Sequence, residues 1–239
     1  MKLIADSIHM SFDKKEVLKG ASFTFEQGKI YALLGRNGAG KTTFFNCLND
    51  DLKMDSGSFI LTDGTEQRPL GTEDVGYVLS TPVVPEFLTA RELLKFFLEI
   101  NAGRIAHPKT PDQYLDAVRI APDDRNKLLR DFSHGMKNKI QMLMNLIADP
   151  MVLLLDEPLT SLDVVAQDEM KTLLKDRKSE HITILSTHIL ELALDMCDEV
   201  VLLHHGVLTQ MDRGQLGTQE YKDSIIAALR EDSPEDAND

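Results

Sequence analysis

Cysteine is nearly absent. Cys47 and Cys197 are the only two among 239 residues, and no metal-ligand spacing joins them. That leaves no disulfide framework and no cysteine-type zinc site; both thiols sit among apolar residues and read as buried and inert. Long apolar runs are also missing. A membrane helix needs roughly 18 or more apolar residues in a row, and the run at 151–155 stops at Asp156. The first residues, Met1-Lys2-Leu3-Ile4-Ala5-Asp6, lack the shape of a secretory signal. The chain is therefore expected to stay in the cytoplasm and not to cross a bilayer. Basic charge is short as well, with a formal net charge of −13. Nucleic acid is therefore not an expected partner, and neither is direct docking on anionic lipid headgroups. No internal repeat is present.

What is present is enough for a globular core: 42% of residues are apolar. The length suits one large domain, or one domain with a lobe inserted. The chain is organised around Gly35-Arg36-Asn37-Gly38-Ala39-Gly40-Lys41-Thr42-Thr43, which fits G-x-x-x-x-G-K-[ST]. Apolar residues 29–34 before it read as a buried strand, and residues 44–48 after it can continue a helix. An ordinary glycine-rich turn is the bland alternative. The strand–loop–helix context favours a phosphate-binding loop. Its glycines let backbone N–H groups converge on phosphate oxygens, and the new helix adds its positive end. Lys41 would reach the β- and γ-phosphates, and the Thr42 hydroxyl would hold Mg²⁺.

In chain order, residues 3–10 and 16–25 read as strands around a turn at 11–15, which suggests an antiparallel sheet beside a parallel one. Phe12, on that turn, could stack on an adenine ring or cap the strand pair as core. Strands are expected at 58–61 and 74–79, the latter ending at Ser80-Thr81-Pro82. Thr89 with Glu92 and Thr110 with Gln113 open helices as capping boxes. Residues from about 82 to 148 read as helical and strand-free, a separate lobe. Within it, Met136, Ile140, Leu143, Met144 and Ile147 recur at helical spacing, with the methionines as core filler. Buried strands are expected at 151–158, ending in two acids, and at 182–186, helices at 164–178 and 189–197, and a hairpin around His204-His205-Gly206. Residues 219–230 form a short helix, and the acidic 231–239 segment is expected to be disordered.

Three parallel strands thus end in chemistry: the phosphate loop, Asp156-Glu157, and His188. Ligands of open α/β sheets bind beyond the carboxyl ends of the strands, so these groups should converge. Asp156 can orient Mg²⁺, and Glu157 can polarise an attacking water as general base. Lys41 and His188 can donate to charge developing on the γ-phosphate. A lone histidine at a strand end is by default a satisfied core or surface residue; the Ser-Thr-His at a third strand tip favours function. For His204 and His205 the default reading stands.

With those residues in place, the chain resembles the nucleotide-binding subunit of an ABC transporter over about residues 1–210. The resemblance rests on 35–43 (Walker A), 132–136 (signature), 153–157 (Walker B), 161–163 (D-loop) and His188 (H-loop), all in family order. The signature Ser133-His134-Gly135-Met136-Lys137 is similar to the variant of exporter-type subunits. The resemblance implies an α/β fold, a P-loop NTPase (RecA-like) core with an antiparallel β subdomain and an inserted helical subdomain. The domain boundaries follow: residues 1–218 as the ATP-binding domain, the helical part at about 82–148, and 219–239 as helix and tail. It implies ATP and Mg²⁺ as cofactors, with Thr42, Asp156 and Ser80 toward the metal. It implies a head-to-tail pair of this chain, or of this chain with a similar one. In that pair Ser133 and Gly135 of one copy close over ATP held by Lys41 of the other, and Asp163 lies at the seam. A separate membrane-spanning subunit would use the closure, from the cytoplasmic face of the cell membrane, for transport, with a lean to export.

Some residues depart from the pattern. Ser80 stands where the family places Gln, His134 and Met136 replace the usual signature glycine and glutamine, and Phe12 replaces a commoner tyrosine. Two further readings compete. In one, ATP gates a dimer and hydrolysis is slow, which Ser80 favours. In the other, the chain is a soluble chromosome or translation ATPase of the same superfamily. The acidic charge, the single nucleotide site and the lack of a long coiled-coil insert count against that one.

Overall fold

The strands that carry the chemistry are buried on both faces, and their sequences show why. Ile30–Leu34, Val152–Asp156 and Ile182–Thr187 are unbroken buried runs, as expected of parallel strands covered by helices on each side. The computed structural model describes residues 1–105, 108–159, 162–211 and 218–230. In chain order the strands are β1 (Lys2–Phe12), β2 (Lys15–Glu26), β3 (Ile30–Leu34), β4 (Ser56–Thr62), β5 (Gln67–Pro69) and β6 (Val75–Val78). They continue with β7 (Val152–Asp156), β8 (Ile182–Thr187), β9 (Glu199–His204) and β10 (Val207–Gln210). The helices are α1 (Lys41–Leu48), α2 (Ala90–Ile100), α3 (Pro111–Ala117), α4 (His134–Ala148), α5 (Val164–Arg177), α6 (Leu190–Met196) and α7 (Gln219–Arg230).

Two sheets result. One has six strands in the order β10-β9-β3-β8-β7-β6, parallel except for the β9–β10 hairpin. The other has four antiparallel strands in the order β2-β1-β4-β5. Helix α1 is packed into the core between them. Phe44 and Phe45 are fully buried with Leu3, Ile8 and Phe25 on one side and Leu33, Leu154 and Ile184 on the other. Phe25 meets Tyr31 edge-on at 5.0 Å, and Phe44 meets Phe59 at 5.7 Å. Such aromatic pairs add about 0.5–1.5 kcal/mol beyond the area they bury. The loop between β3 and α1 is thereby anchored at both ends in the best-packed part of the chain.

The expected turn at 11–15 is shorter than its composition suggests. Only Asp13 and Lys14 turn the chain, with Asp13 at φ 53, so Phe12 belongs to β1. Its ring is 46% exposed, which overturns the reading of Phe12 as core. Strand β5, three residues long and fully exposed, completes the edge of the antiparallel sheet. Nothing apolar in Gln67-Arg68-Pro69 announces it.

Between 82 and 148 the described residues form α2, α3 and α4 and no strand. Both capping boxes are made: the Glu92 and Gln113 backbone N–H groups donate to Thr89 and Thr110 Oγ1 at 3.2 and 3.3 Å. These helices own a core of Leu93, Leu94, Leu115, Leu129, Ile140 and Leu143. Helix α4 also turns Met142 and Leu146 toward Leu153 and Leu155 of β7, and so joins two cores. It lies directly on β6. A Cβ on Gly76 would come within 2.7 Å of both Asn145 Oδ1 and Pro150 Cγ. Overpacking of this kind costs about 1–3 kcal/mol. A Gly76→Ala chain is expected to melt lower by that margin in a denaturant titration; an unchanged midpoint would contradict the close α4–β6 seat.

Cys47 lies in α1, and burial pushes its thiol up to about 11. Cys197 lies just past α6, and burial raises its thiol too. Both are protonated at neutral pH, in line with inert thiols. Helix α7 docks through Tyr221 and Ile225 against Ala193, Val200 and Leu202. The expected disordered segment at 231–239 lies outside the described residues. No helix among the described residues is long and apolar enough to cross a membrane.

Candidate functional site

The loop after β3 is shaped by two left-handed glycines, Gly38 at φ 84 and Gly40 at φ 104. Gly40 also has no room for a side chain, since a Cβ there would meet Val17 Cγ1 at 2.8 Å. Gly35 is held as tightly, with its Cβ position 2.9 Å from the Leu203 carbonyl oxygen. Gly40 caps α1 without any side-chain acceptor, so the first N–H groups of that helix stay available to an anion. Lys41 is 7% exposed and its Nζ donates to the Gly35 and Arg36 carbonyls at 2.8 and 3.2 Å. Burial holds its pKa below the usual lysine range, with the nearby Glu157 and Asp156 charges opposing the shift.

Facing this loop are the tips of β7 and β8, adjacent because β8 pairs with both β3 and β7. Thr42 Oγ1 donates to Asp156 Oδ2 at 3.1 Å, while the Ser186 hydroxyl donates to Asp156 Oδ1. Glu157 has φ 48, an uncommon backbone conformation for a residue other than glycine. It is held there by its N–H, which lies 3.2 Å from both the Ser186 carbonyl and the Ser186 hydroxyl. That turn brings its carboxylate to His188, with Oε1 2.7 Å from Nδ1. The left-handed step thus points the acid at the cleft and not along the strand.

Val17, Asn37, Gly38, Gly40, Lys41, Thr42, Thr43, Ser80, Asp156 and Glu157 line one cavity of about 300 Å³. Arg36 and Ala39 line a neighbouring cleft of about 440 Å³ with Lys15, Lys19, His205 and Gly206; it shares Val17, Asn37 and Gly38 with the first. Lys15 is the register partner of Phe12 across the hairpin end. The donor set around Thr42 is all oxygen, from Thr42 and Asp156 with Ser80 on the same wall. That suits Mg²⁺, a hard cation that takes oxygen ligands. The predicted convergence of Lys41, Asp156 and Glu157 therefore holds, with His188 joined to it through Glu157.

Ser133, Gly135 and Asp163 do not line this cavity within a single chain. Ser133 caps α4, accepting from the Met136 N–H at 3.2 Å, and is exposed. Asp163 caps α5, accepting from the Ala166 N–H at 2.9 Å, and beside it Val164 and Val165 are 81% and 65% exposed. Ser161 lies outside the described residues. Two contributors escape sequence reasoning. Val17 lines the cavity from the antiparallel sheet. Ser186 is fully buried and bonds both acids. A hydroxyl inside an otherwise apolar strand was the available signal, since a buried polar group needs a partner.

A glycine loop, a lysine and strand-tip acids on the carboxyl edge of a parallel sheet define the P-loop NTPase fold. Within that class the chain belongs to the ABC transporter family, whose profile matches residues 18–160. It is 32% identical to the ABC transporter ATP-binding protein NatA of Bacillus subtilis, across 81% of this chain and 82% of that protein. It is 35% identical to a fluoroquinolones export ATP-binding protein of Mycobacterium tuberculosis, across 82% of this chain and 64% of that one. Several relatives are longer: the chain spans 12% of a human one and 58 to 64% of three bacterial ones. Among solved structures it is similar to an ATP binding subunit of an ABC transporter. The TM-score is 0.78 at 25% identity, over 96% of this chain and 100% of that one. A dimeric post-hydrolysis state of an ATP-binding cassette, bound to ADP and Pi, gives 0.74 at 18% identity, over 88% and 98%.

Proposed function

We propose that this chain is an ATP-hydrolysing subunit that pairs around ATP and drives a separate membrane-spanning subunit. The exported cargo is proposed to be a peptide, an antibiotic or another small amphiphile. The observation that carries the reading is the 2.7 Å contact between Glu157 and His188, made by a left-handed residue beside the Thr42–Asp156 pair. Strained backbone at a strand tip costs about 1–3 kcal/mol and persists where its surroundings over-determine it. Here it aims a carboxylate into a phosphate-sized cleft.

The chemistry follows from placement. Lys41 and the first N–H groups of α1 grip the β- and γ-phosphates. Mg²⁺ held by Thr42 and Asp156 would add positive charge at the phosphate oxygens. Glu157 takes the proton of the attacking water, and His188 keeps its carboxylate oriented. Ser133 and Gly135 stand at the exposed start of α4, outside the cleft of their own copy. The reading places them against ATP in a second copy, with Asp163 and the exposed valines at the seam. The dimeric ADP-bound relative supports that arrangement. Residues 1–218 would make the ATP-binding domain, with its helical part at about 82–148. The chain would sit at the cytoplasmic face of the membrane through its partner, and nucleic acid has no part in the reading. The fluoroquinolones export relative supports the direction and the cargo class.

Phosphate release from ATP by the purified chain, rising on reconstitution with a co-encoded membrane subunit, tests this. ATP bound without any release would sink it and leave the second reading, a nucleotide-gated dimer. Ser80 favours that second reading, because its short side chain lines the cavity where the family has Gln. Ser80→Gln is expected to raise turnover several-fold. An unchanged rate would remove Ser80 as the cause of slow hydrolysis.

A further inference from the structure

The edge of the parallel sheet opposite the nucleotide cleft carries a second cluster of polar groups. Asp149 follows the last turn of α4, and Glu180 and His181 lead into β8. One ligand atom from each of the three lies within 4.8 Å of the others. His181 is 1% exposed, although it is a polar residue at the end of a strand. Its Nδ1 lies 2.7 Å from the Pro150 carbonyl oxygen. A carbonyl only accepts, so Nδ1 carries the proton. In the neutral ring Nε2 is then a lone pair, and it is buried without a hydrogen-bond partner. It points at Asp149 Oδ1, 3.7 Å away.

That contact is a hydrogen bond in neither form of the ring. With the neutral ring, a lone pair faces a carboxylate and no proton lies between them. With a charged ring, 3.7 Å is too long for an N–H···O bond. A buried polar atom left this way is unfavourable. A cation between Nε2 and the two carboxylates removes the conflict. The histidine is already prepared for one. A metal-binding histidine almost always donates its other ring N–H to a carbonyl or carboxylate, which fixes the tautomer. The separation also fits. Zinc ligands at about 2.0–2.1 Å in a tetrahedron stand roughly 3.3–3.4 Å apart, so the 3.7 Å pair has only a few tenths of an ångström to close.

We propose that Asp149, Glu180 and His181 bind a divalent transition-metal ion, with zinc the best match to one imidazole and two carboxylates. Asp149 is 65% exposed at its side chain, which gives the ion a way in. Glu180 Oε2 lies 2.5 Å from Arg177 Nη1, on the exposed surface. A Glu180 carboxylate oxygen is the third ligand atom of the cluster. The site ties the end of α4 to the start of β8. Ser133 caps the far end of α4, and Ser186, Thr187 and His188 finish β8. The ion is therefore a clamp on α4 and β8 at the ends opposite Ser133 and the 186–188 strand tip.

The test uses the untagged chain, stripped with a chelator and kept in excess Mg²⁺ so that the Thr42–Asp156 oxygens are occupied. Zinc is then titrated by calorimetry and melting curves. One equivalent is expected to bind and to raise the melting temperature by mass action. Asp149→Asn and Glu180→Gln are each expected to weaken zinc at least about tenfold, since loss of mere supporting contacts already costs 10–100-fold. Both replacements are isosteric and exposed, and asparagine accepts the left-handed backbone that Asp149 has at φ 54. Cobalt in place of zinc is expected to give visible absorption bands that vanish in both variants. No saturable zinc binding by the unaltered chain, or an unchanged affinity in either variant, overturns the proposal. ATP turnover is not a readout, so the test stands apart from the proposed hydrolysis.

Discussion

Glu157→Gln is expected to lower ATP turnover by about 10²–10⁴-fold, the usual contribution of a positioned general base, while ATP binding survives. The amide keeps the shape of the carboxylate, and the backbone N–H bonds to Ser186 that hold the left-handed turn do not involve the side chain. Lys41, Thr42 and the loop N–H groups are untouched, so the proposed grip on the phosphates is expected to remain. With release blocked, ATP-bound pairs of the chain are expected to accumulate. Phosphate release and size-exclusion chromatography in ATP measure the two halves. Turnover within about tenfold of the unaltered chain would move the base elsewhere. Lost turnover without pairing would separate hydrolysis from the Ser133 and Gly135 assignments.

Lys41→Met is expected to act the other way round, on binding before chemistry. In the folded chain the ammonium is buried and its pKa is depressed by that burial. Its partners are two carbonyls and the nearby acids, so it stands ready for an anion. Methionine fills the same space without charge and relieves the burial cost, so the nucleotide-free chain should melt no more than slightly differently. Two charge-assisted bonds to phosphate contribute about 1.5–3 kcal/mol each. Their loss, about 3–6 kcal/mol at 1.4 kcal/mol per tenfold, lowers ATP affinity roughly 10²–10⁴-fold. A titration with a fluorescent nucleotide decides it, and affinity kept within a factor of about three would show that Lys41 does not hold the phosphates.

The parts of the site that could be read from the chain are those made by neighbours in sequence. The phosphate loop is one continuous segment, and Asp156 and Glu157 together end one apolar run. The rule that strands share a carboxyl edge brought them together without coordinates. What stayed hidden depends on register across strands. Ser186 meets Asp156 because β7 and β8 pair residue for residue at that level. Val17 reaches the cavity because the antiparallel sheet folds over Gly40. His181 and Asp149 meet at the opposite edge from the segments just ahead of β8 and just after α4, and neither sits in a motif. Phe12 shows the opposite failure. Its apolar side chain suggested core as readily as ligand, and only its exposure removes the first reading.

The bare backbone of Gly76 brings a last consequence. With no side chain on Gly76, α4 seats directly on β6, and Asn145 and Pro150 fill the space a Cβ would take. Beyond β6 lies Ser80, on the wall of the cavity; at the head of α4 lies the exposed Ser133, which the proposed pairing would set against a second copy. In the proposed pair, a change at one copy's own phosphate would pass along this contact to the phosphate its twin holds, and the two sites would fire in step.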